Sequence, residues 1–245
     1  MDAAGRGGHA LRQYYVAVSS MENKLATLLD LLRAFEATAP LSLVACCGAR
    51  DSLDALVAAA VGVPHCRVWV LHADMSEREV EATVRDYRAA TQPELAAEQQ
   101  QAEQQQQQQQ QAGGEAAGQA GEAGGRRRRG AGDASPRQGE ATAIEPPFVA
   151  VLATTDAGLR AVPKDLLPLS PTLLISYDLP TRKDLYLRRI QSVLGSRASA
   201  ARGCRRIAVN FAVAGQLEEF RQVEEWAEKP IDGMPVHVSD IFAGA

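Results

Sequence analysis

Short apolar runs alternate with amphipathic stretches along most of this chain. Residues 13–18 (QYYVAV) predict a strand, and Leu25, Leu28, Leu29, Leu32 and Phe35 follow at helical spacing. Ser19 and Glu22 have the spacing of a capping box, which makes Ser19 the expected N-cap. Residues 41–47 form a continuous apolar run, as in a strand buried on both faces. Residues 51–60 read as a helix and 67–71 (RVWVL) as a strand. Ser76 precedes a helix over 77–90, with Glu79 three positions on. Further along, strands are predicted over 148–153, 172–177 and 206–213, and helices over 184–194 and 216–228. Strands alternating with helices specify an α/β fold, a parallel sheet flanked by helices on both faces.

One stretch breaks the pattern. From 93 to 143 the chain carries a run of glutamine (104–111), then Gly, Ala and Glu, then four arginines (126–129). So little of it can be buried that ordering it loses backbone entropy without return, and it reads as a long disordered insertion. The arginines suit either a solvated charge run or a contact with RNA or a localisation receptor. The domain is therefore expected over 11–242, interrupted by 93–143, which leaves about 195 residues for one compact unit.

Composition adds mostly exclusions. The net charge of −4 argues against a general polyanion binder, although a local basic face is compatible with it. Arg182, Lys183, Arg188, Arg189, Arg197, Arg202, Arg205 and Arg206 form such a run, with Asp184 as its only acid. Cys46, Cys47, Cys66 and Cys204 have no metal-ligand spacing, and the first two fall in an apolar run as buried thiols. No apolar run approaches a membrane span and no signal peptide is present, so an intracellular protein, cytoplasmic or nuclear, is expected.

Six segments carry a resemblance. RQYYVAV, HADMSEREVEATVRDYR, VLATTDAGLRAV, ISYDLP, YLRRI and MPVHVSDIF come in the order found in the second RecA-like lobe of DEAD-box RNA helicases. The tail and residues 177–180 (YDLP) resemble the translation initiation factor 4A branch. The resemblance implies a RecA-like helicase C-terminal domain. The family's activity is ATP-dependent RNA unwinding between two lobes. Its first lobe carries a Gly-Lys-Thr phosphate loop and an Asp-Glu-Ala-Asp box, which hold ATP and magnesium. Neither sequence occurs in this chain, so by itself it is expected to hold no nucleotide or metal and to be inactive.

The matching positions are part kept and part replaced. The family's arginine fingers, which contact the γ-phosphate, fall on Ser192 and Gly195, and neither can donate as a charged fork. Its ribose-binding aspartate falls on Pro163, with Asp165 nearby. The resemblance assigns RNA-phosphate contacts to Arg50, Thr154, Thr155 and Asp156, while Arg188 and Arg189 belong to the basic run that suits RNA backbone. Against these, Gly48-Ala49 replaces the family's Asn-Thr, and Glu77 and Val80 replace a Gln-x-x-Arg. His72 and Asp74 match a segment the family uses structurally. Trp69 reads as core; Trp226 is either half-buried or part of a partner surface.

Two functions remain open from sequence. One is a stand-alone, non-catalytic module in translation initiation or RNA metabolism. It would bind single-stranded RNA weakly, or dock on the helical-repeat scaffold of the initiation complex that the resemblance implies, with no membrane partner. The other is the C-terminal part of an ATP-dependent RNA helicase whose first lobe lies outside this chain or is supplied in trans.

Overall fold

The structure is a computed structural model, and it describes residues 11–92, 147–195 and 206–243. The chain divides into a unit of residues 1–93 and 147–245 and a second unit of 94–146. The second unit, with the glutamine run and the four-arginine run, lies outside the described residues, as do Arg197, Arg202, Cys204 and Arg205.

Seven parallel strands form one sheet in the order β3-β4-β2-β5-β6-β1-β7. They are β1 (Arg12–Val18), β2 (Leu41–Cys47), β3 (Cys66–Leu71), β4 (Val149–Thr155), β5 (Leu173–Ser176), β6 (Ile207–Val213) and the two-residue edge β7 (Asp232–Gly233). The central β2 and β4 are buried along their whole length, which is why they read as unbroken apolar runs. Their side chains still alternate. Leu43, Ala45 and Cys47 enter one core, and Val44 and Cys46 enter the other. Burial pushes the Cys46 thiol up to about 12 and raises Cys47 as well, so both are inert packing groups.

Helices α1 (Met21–Glu36) and α2 (Arg50–Ala60) cover one face. Helices α3 (Glu77–Thr91), α4 (Asp156–Ala161), α5 (Lys183–Arg189) and α6 (Leu217–Ala227) cover the other. Trp69 packs edge-on to Tyr87 in the second core, and Trp226 is half-buried beside Tyr186. The α3 capping box forms as its spacing predicts: Ser76 Oγ accepts from the Glu79 N–H, and Glu79 accepts from the Ser76 N–H at 2.7 Å.

Two expectations are corrected. Ser20, not Ser19, is the N-cap of α1, which puts Glu22 one position too early to close a box. Ser19 instead accepts from Asn23 Nδ2 at 2.9 Å. The helix expected over 184–194 is α-helical only to Arg189 and then widens into a π turn, Ile190–Leu194. There the carbonyls of Ser192 and Val193 accept from Leu169 and Ser170 at 2.9 and 2.8 Å, so a neighbouring loop satisfies them.

Candidate functional site

The sheet topology opens a crevice. β2 and β4 are neighbours, yet α2 leaves β2 for one face and α4 leaves β4 for the other. The loops after the two strands therefore diverge, which is where open α/β sheets take ligands. A cleft of about 470 Å³ lies there, lined by the loop at Gly48–Arg50, by His72–Asp74, by Thr155–Ala157 with Arg160, and by Leu179, Thr181, Arg182 and Leu185.

Close packing under the cleft depends on a glycine. A Cβ on Gly158 would stand 2.6 Å from the Leu71 carbonyl oxygen and 2.9 Å from Thr154 Oγ1, so only glycine lets α4 settle against the end of β3. Thr155 caps α4, its Oγ accepting from the Gly158 N–H at 3.1 Å. Thr154 is fully buried and donates to the Thr155 carbonyl at 3.1 Å. Both hydroxyls are thus engaged within the fold.

The charged residues differ in how far they are committed. Arg189, 1% exposed, forks onto both Asp156 oxygens at 2.6 and 2.7 Å and donates to the Asp178 carbonyl at 2.6 Å. Burial opposes its charge, but the hydrogen bond to Asp156 and the charges of Cys46, Asp156 and Asp178 together raise its pKa. Arg189 and Asp156 are brought together: Asp156 lines the cleft, while the Arg189 guanidinium is buried behind it. Arg188 is half-buried, and its buried Nη1 has no hydrogen-bond partner among the described residues. Arg50 holds Asp54 through Nε at 2.8 and 3.0 Å and Asp74 through Nη1 at 3.2 Å. Arg182 pairs with Asp184 at 3.2 Å. Arg160 is exposed at the cleft, and no carboxylate among the described residues pairs with it.

A second ion pair sets the rim. Lys24 of α1 is 2% exposed, pairs with Asp178 and lies over the Tyr177 ring at 4.4 Å. Asp178 also accepts the Gly48 N–H at 2.8 Å, which ties the β2–α2 loop to the end of β5. Burial works against the Asp178 charge, but Lys24, the Gly48 N–H and Ser52 together hold its carboxyl below the usual range. Sequence reading overlooked this pair and Arg160. Its signal was Lys24 itself, a lysine in register with Leu28, Leu31 and Phe35 on the buried stripe of α1.

The positions that the resemblance matches to the family's arginine fingers and ribose aspartate are occupied by Ser192, Gly195 and Pro163. Ser192 is half-buried with its carbonyl engaged by Leu169, and Gly195 is buried with its carbonyl accepting from Arg206 at 2.8 Å. Pro163 has no acceptor side chain, and its carbonyl accepts from the Leu166 N–H at 3.1 Å. The set offers no charged donor for a γ-phosphate and no carboxylate at the ribose position. No cluster of His, Cys, Asp and Glu among the described residues would hold a metal ion, and no described helix is long and apolar enough to cross a membrane.

No protein-family model matches the chain. It is 24% identical over 232 residues to the ATP-dependent RNA helicase eIF4A of Mycosarcoma maydis, covering 95% of this chain and 39% of that protein. It is 34% identical over 92 residues to eukaryotic initiation factor 4A-3 of Nicotiana plumbaginifolia, covering 38% of this chain and 21% of that protein. The matches thus span about a fifth to two-fifths of these relatives' lengths. Among solved structures, the C-terminal domain of the DEAD-box protein Dbp5 superposes with a TM-score of 0.55 at 15% identity, covering 94% of this chain and 92% of that domain. Its sheet and its diverging loops give this chain the RecA-like fold of a DEAD-box C-terminal domain, and along nearly its whole length it is similar in sequence to an ATP-dependent RNA helicase.

Proposed function

We infer that this chain is a non-catalytic RNA-binding lobe acting in translation initiation or RNA metabolism. The observation that carries it is the contrast within one lobe. The cleft at the strand ends keeps exposed cations and open helix starts. The finger and ribose positions keep neither a charge nor a free carbonyl. Arg160 and Arg182 are exposed at the cleft. The N-caps of α2 and α5, Ala49 and Arg182, make no side-chain cap bond, so the first-turn N–H groups of both helices have no side-chain acceptor from their cap. Phosphodiester oxygens suit both kinds of donor, without reading sequence. Arg50 joins them when it exchanges a carboxylate for a phosphate. Thr154, Thr155, Asp156 and Arg189 serve by fixing the loops, while Arg188 stands at the margin. The helical-repeat scaffold carries over as the protein partner that the resemblance implies.

The test is fluorescence anisotropy with a labelled single-stranded RNA at about 50 and about 200 mM salt, with and without ATP. Salt-sensitive binding that ignores ATP and weakens in Arg160→Ala/Arg182→Ala is expected. ATP-dependent binding would overturn the non-catalytic reading. Absence of binding at low salt would remove RNA and leave a protein partner.

A further inference from the structure

Asp74 puts a carboxylate against Arg50 at the cleft. It lies in the turn between β3 and α3, lines the cleft, and is 83% exposed. Its carboxylate accepts from Arg50 Nη1 at 3.2 Å, across 24 residues of sequence. The other Arg50 contact is of a different kind. Asp54 lies one turn away on the same helix and takes only Nε. An arginine held on its own helix by one edge, with its outer nitrogen against a solvent-exposed carboxylate from another loop, is half-committed. Exposed pairs of this sort are weak and exchange readily.

The carboxylate also has somewhere to go. His72 Nδ1 lies 3.6 Å from Asp74, too far for a hydrogen bond. That nitrogen is buried and has no hydrogen-bond partner among the described residues. A shift of less than about 1 Å would bring Asp74 onto it as an acceptor, satisfying an orphaned buried group. Asp74 thus has one partner it can release and a second waiting beside it.

We propose that Asp74 is a built-in phosphate mimic: it occupies Arg50 in the free protein and moves onto His72 when a nucleic-acid phosphate takes its place, so that this one carboxylate sets the affinity of the cleft. This rests on the RNA-binding reading above. Arg50 already neutralised by Asp74 releases little counterion on binding, so the wild type behaves as though it had one phosphate contact fewer. Freeing Arg50 should strengthen binding and steepen its salt dependence together, which general stabilisation of the fold would not do.

The experiment compares wild type, Asp74→Asn, Arg50→Ala and the double variant for binding of a labelled oligouridylate across a salt series. Asp30→Asn serves as a control, removing the same charge beside Arg33 on α1, away from the residues that line the cleft. Asp74→Asn should bind about two- to fivefold tighter at low salt. Its log–log salt slope should be steeper by about 0.7, the value for one added phosphate contact to a single strand. Both gains should vanish in the Arg50→Ala background. Equal affinity of wild type and Asp74→Asn overturns the mimic while leaving the RNA reading intact. An equal gain from Asp30→Asn, or a gain that survives without Arg50, reduces the effect to net charge and also overturns it. Failure of every variant to bind at low salt removes both readings at once.

Discussion

The cleft at the ends of β2–β5 and the π turn after α5 belong to one lobe but are built in opposite ways. Loops diverge at the cleft because neighbouring strands send their helices to opposite faces, and charged side chains hold those loops: Asp178 takes the Gly48 N–H and Lys24, and Arg189 takes Asp156. At the π turn the acceptors are backbone carbonyls, and no carboxylate among the described residues takes part. Leu169 and Ser170 donate to Ser192 and Val193, and Arg88 of α3 donates to the carbonyls of Leu166 and Pro168 at 2.6 and 2.9 Å. Bonds to the backbone carbonyls of Ser192 and Val193 do not depend on the side chain at Ser192, so that position can change without breaking them. A charge-held segment cannot lose one partner without stranding the other.

The largest test of that contrast is Arg189→Ala. It leaves Asp156 without its partner beneath α4 and should lower stability by about 3–5 kcal/mol, measured by urea unfolding. The adjacent Arg188→Ala removes a side chain with no carboxylate partner among the described residues and should change stability by less than about 0.5 kcal/mol. Similar losses for the two would mean that the Asp156 fork contributes nothing special.

Asp178→Asn comes next. It leaves the buried Lys24 unpaired, for a loss of about 2–3 kcal/mol at neutral pH, less than for Arg189 because Asp178 is partly exposed. Its pH dependence has a definite sign. The folded carboxyl titrates below its unfolded value, so its contribution is fully present above the unfolded pKa of about 3.9 and is lost as pH falls through the depressed folded value. The stability difference between wild type and Asp178→Asn should be flat from about pH 7 to about pH 5 and shrink below about pH 4. A difference that shrinks toward high pH instead would show that another group carries the effect.

The backbone-held region makes its own prediction. Gly195 ends the π turn at φ 73° and ψ −177°, a conformation essentially reserved for glycine, and it is buried. Gly195→Arg should therefore cost about 2 kcal/mol or more. Ser192→Arg, at a half-buried position inside the π turn, should cost less than about 1 kcal/mol. Neither should create ATP binding by calorimetry, since Pro163 still offers no ribose acceptor. ATP binding by Ser192→Arg would show that one side chain, not the region, is what the site lacks.

Much of this was legible in the sequence, and the reason differs by region. β2 and β4 could be read because burial on both faces leaves unbroken apolar runs. α3 could be read because Ser76 and Glu79 signal a local bond. The Lys24–Asp178 and Arg189–Asp156 pairs join residues 154 and 33 positions apart, and no local rule links them. Arg189 read as part of a basic face because seven other cations surround it in sequence; only the fold shows that its guanidinium turns inward. The π turn was hidden for a related reason, since the apolar spacing over 184–194 fits an α-helix and the loop that widens it lies some 20 residues upstream.

The smallest effect should come from α3, which touches both regions: Ser76 begins it beside the cleft, and Arg88 near its end reaches the loop that covers the π turn. Ser76→Ala removes the acceptor for the Glu79 N–H and half of the box, for a loss of about 1 kcal/mol. The effect should stay at the helix start. Amide exchange should rise over the first turn of α3 and remain unchanged at Leu169 and Ser170, whose N–H groups are bonded to the π turn. Faster exchange at Leu169 and Ser170 would mean that α3 transmits disturbance along its length. The two regions would then be one mechanical unit, held differently but not independently.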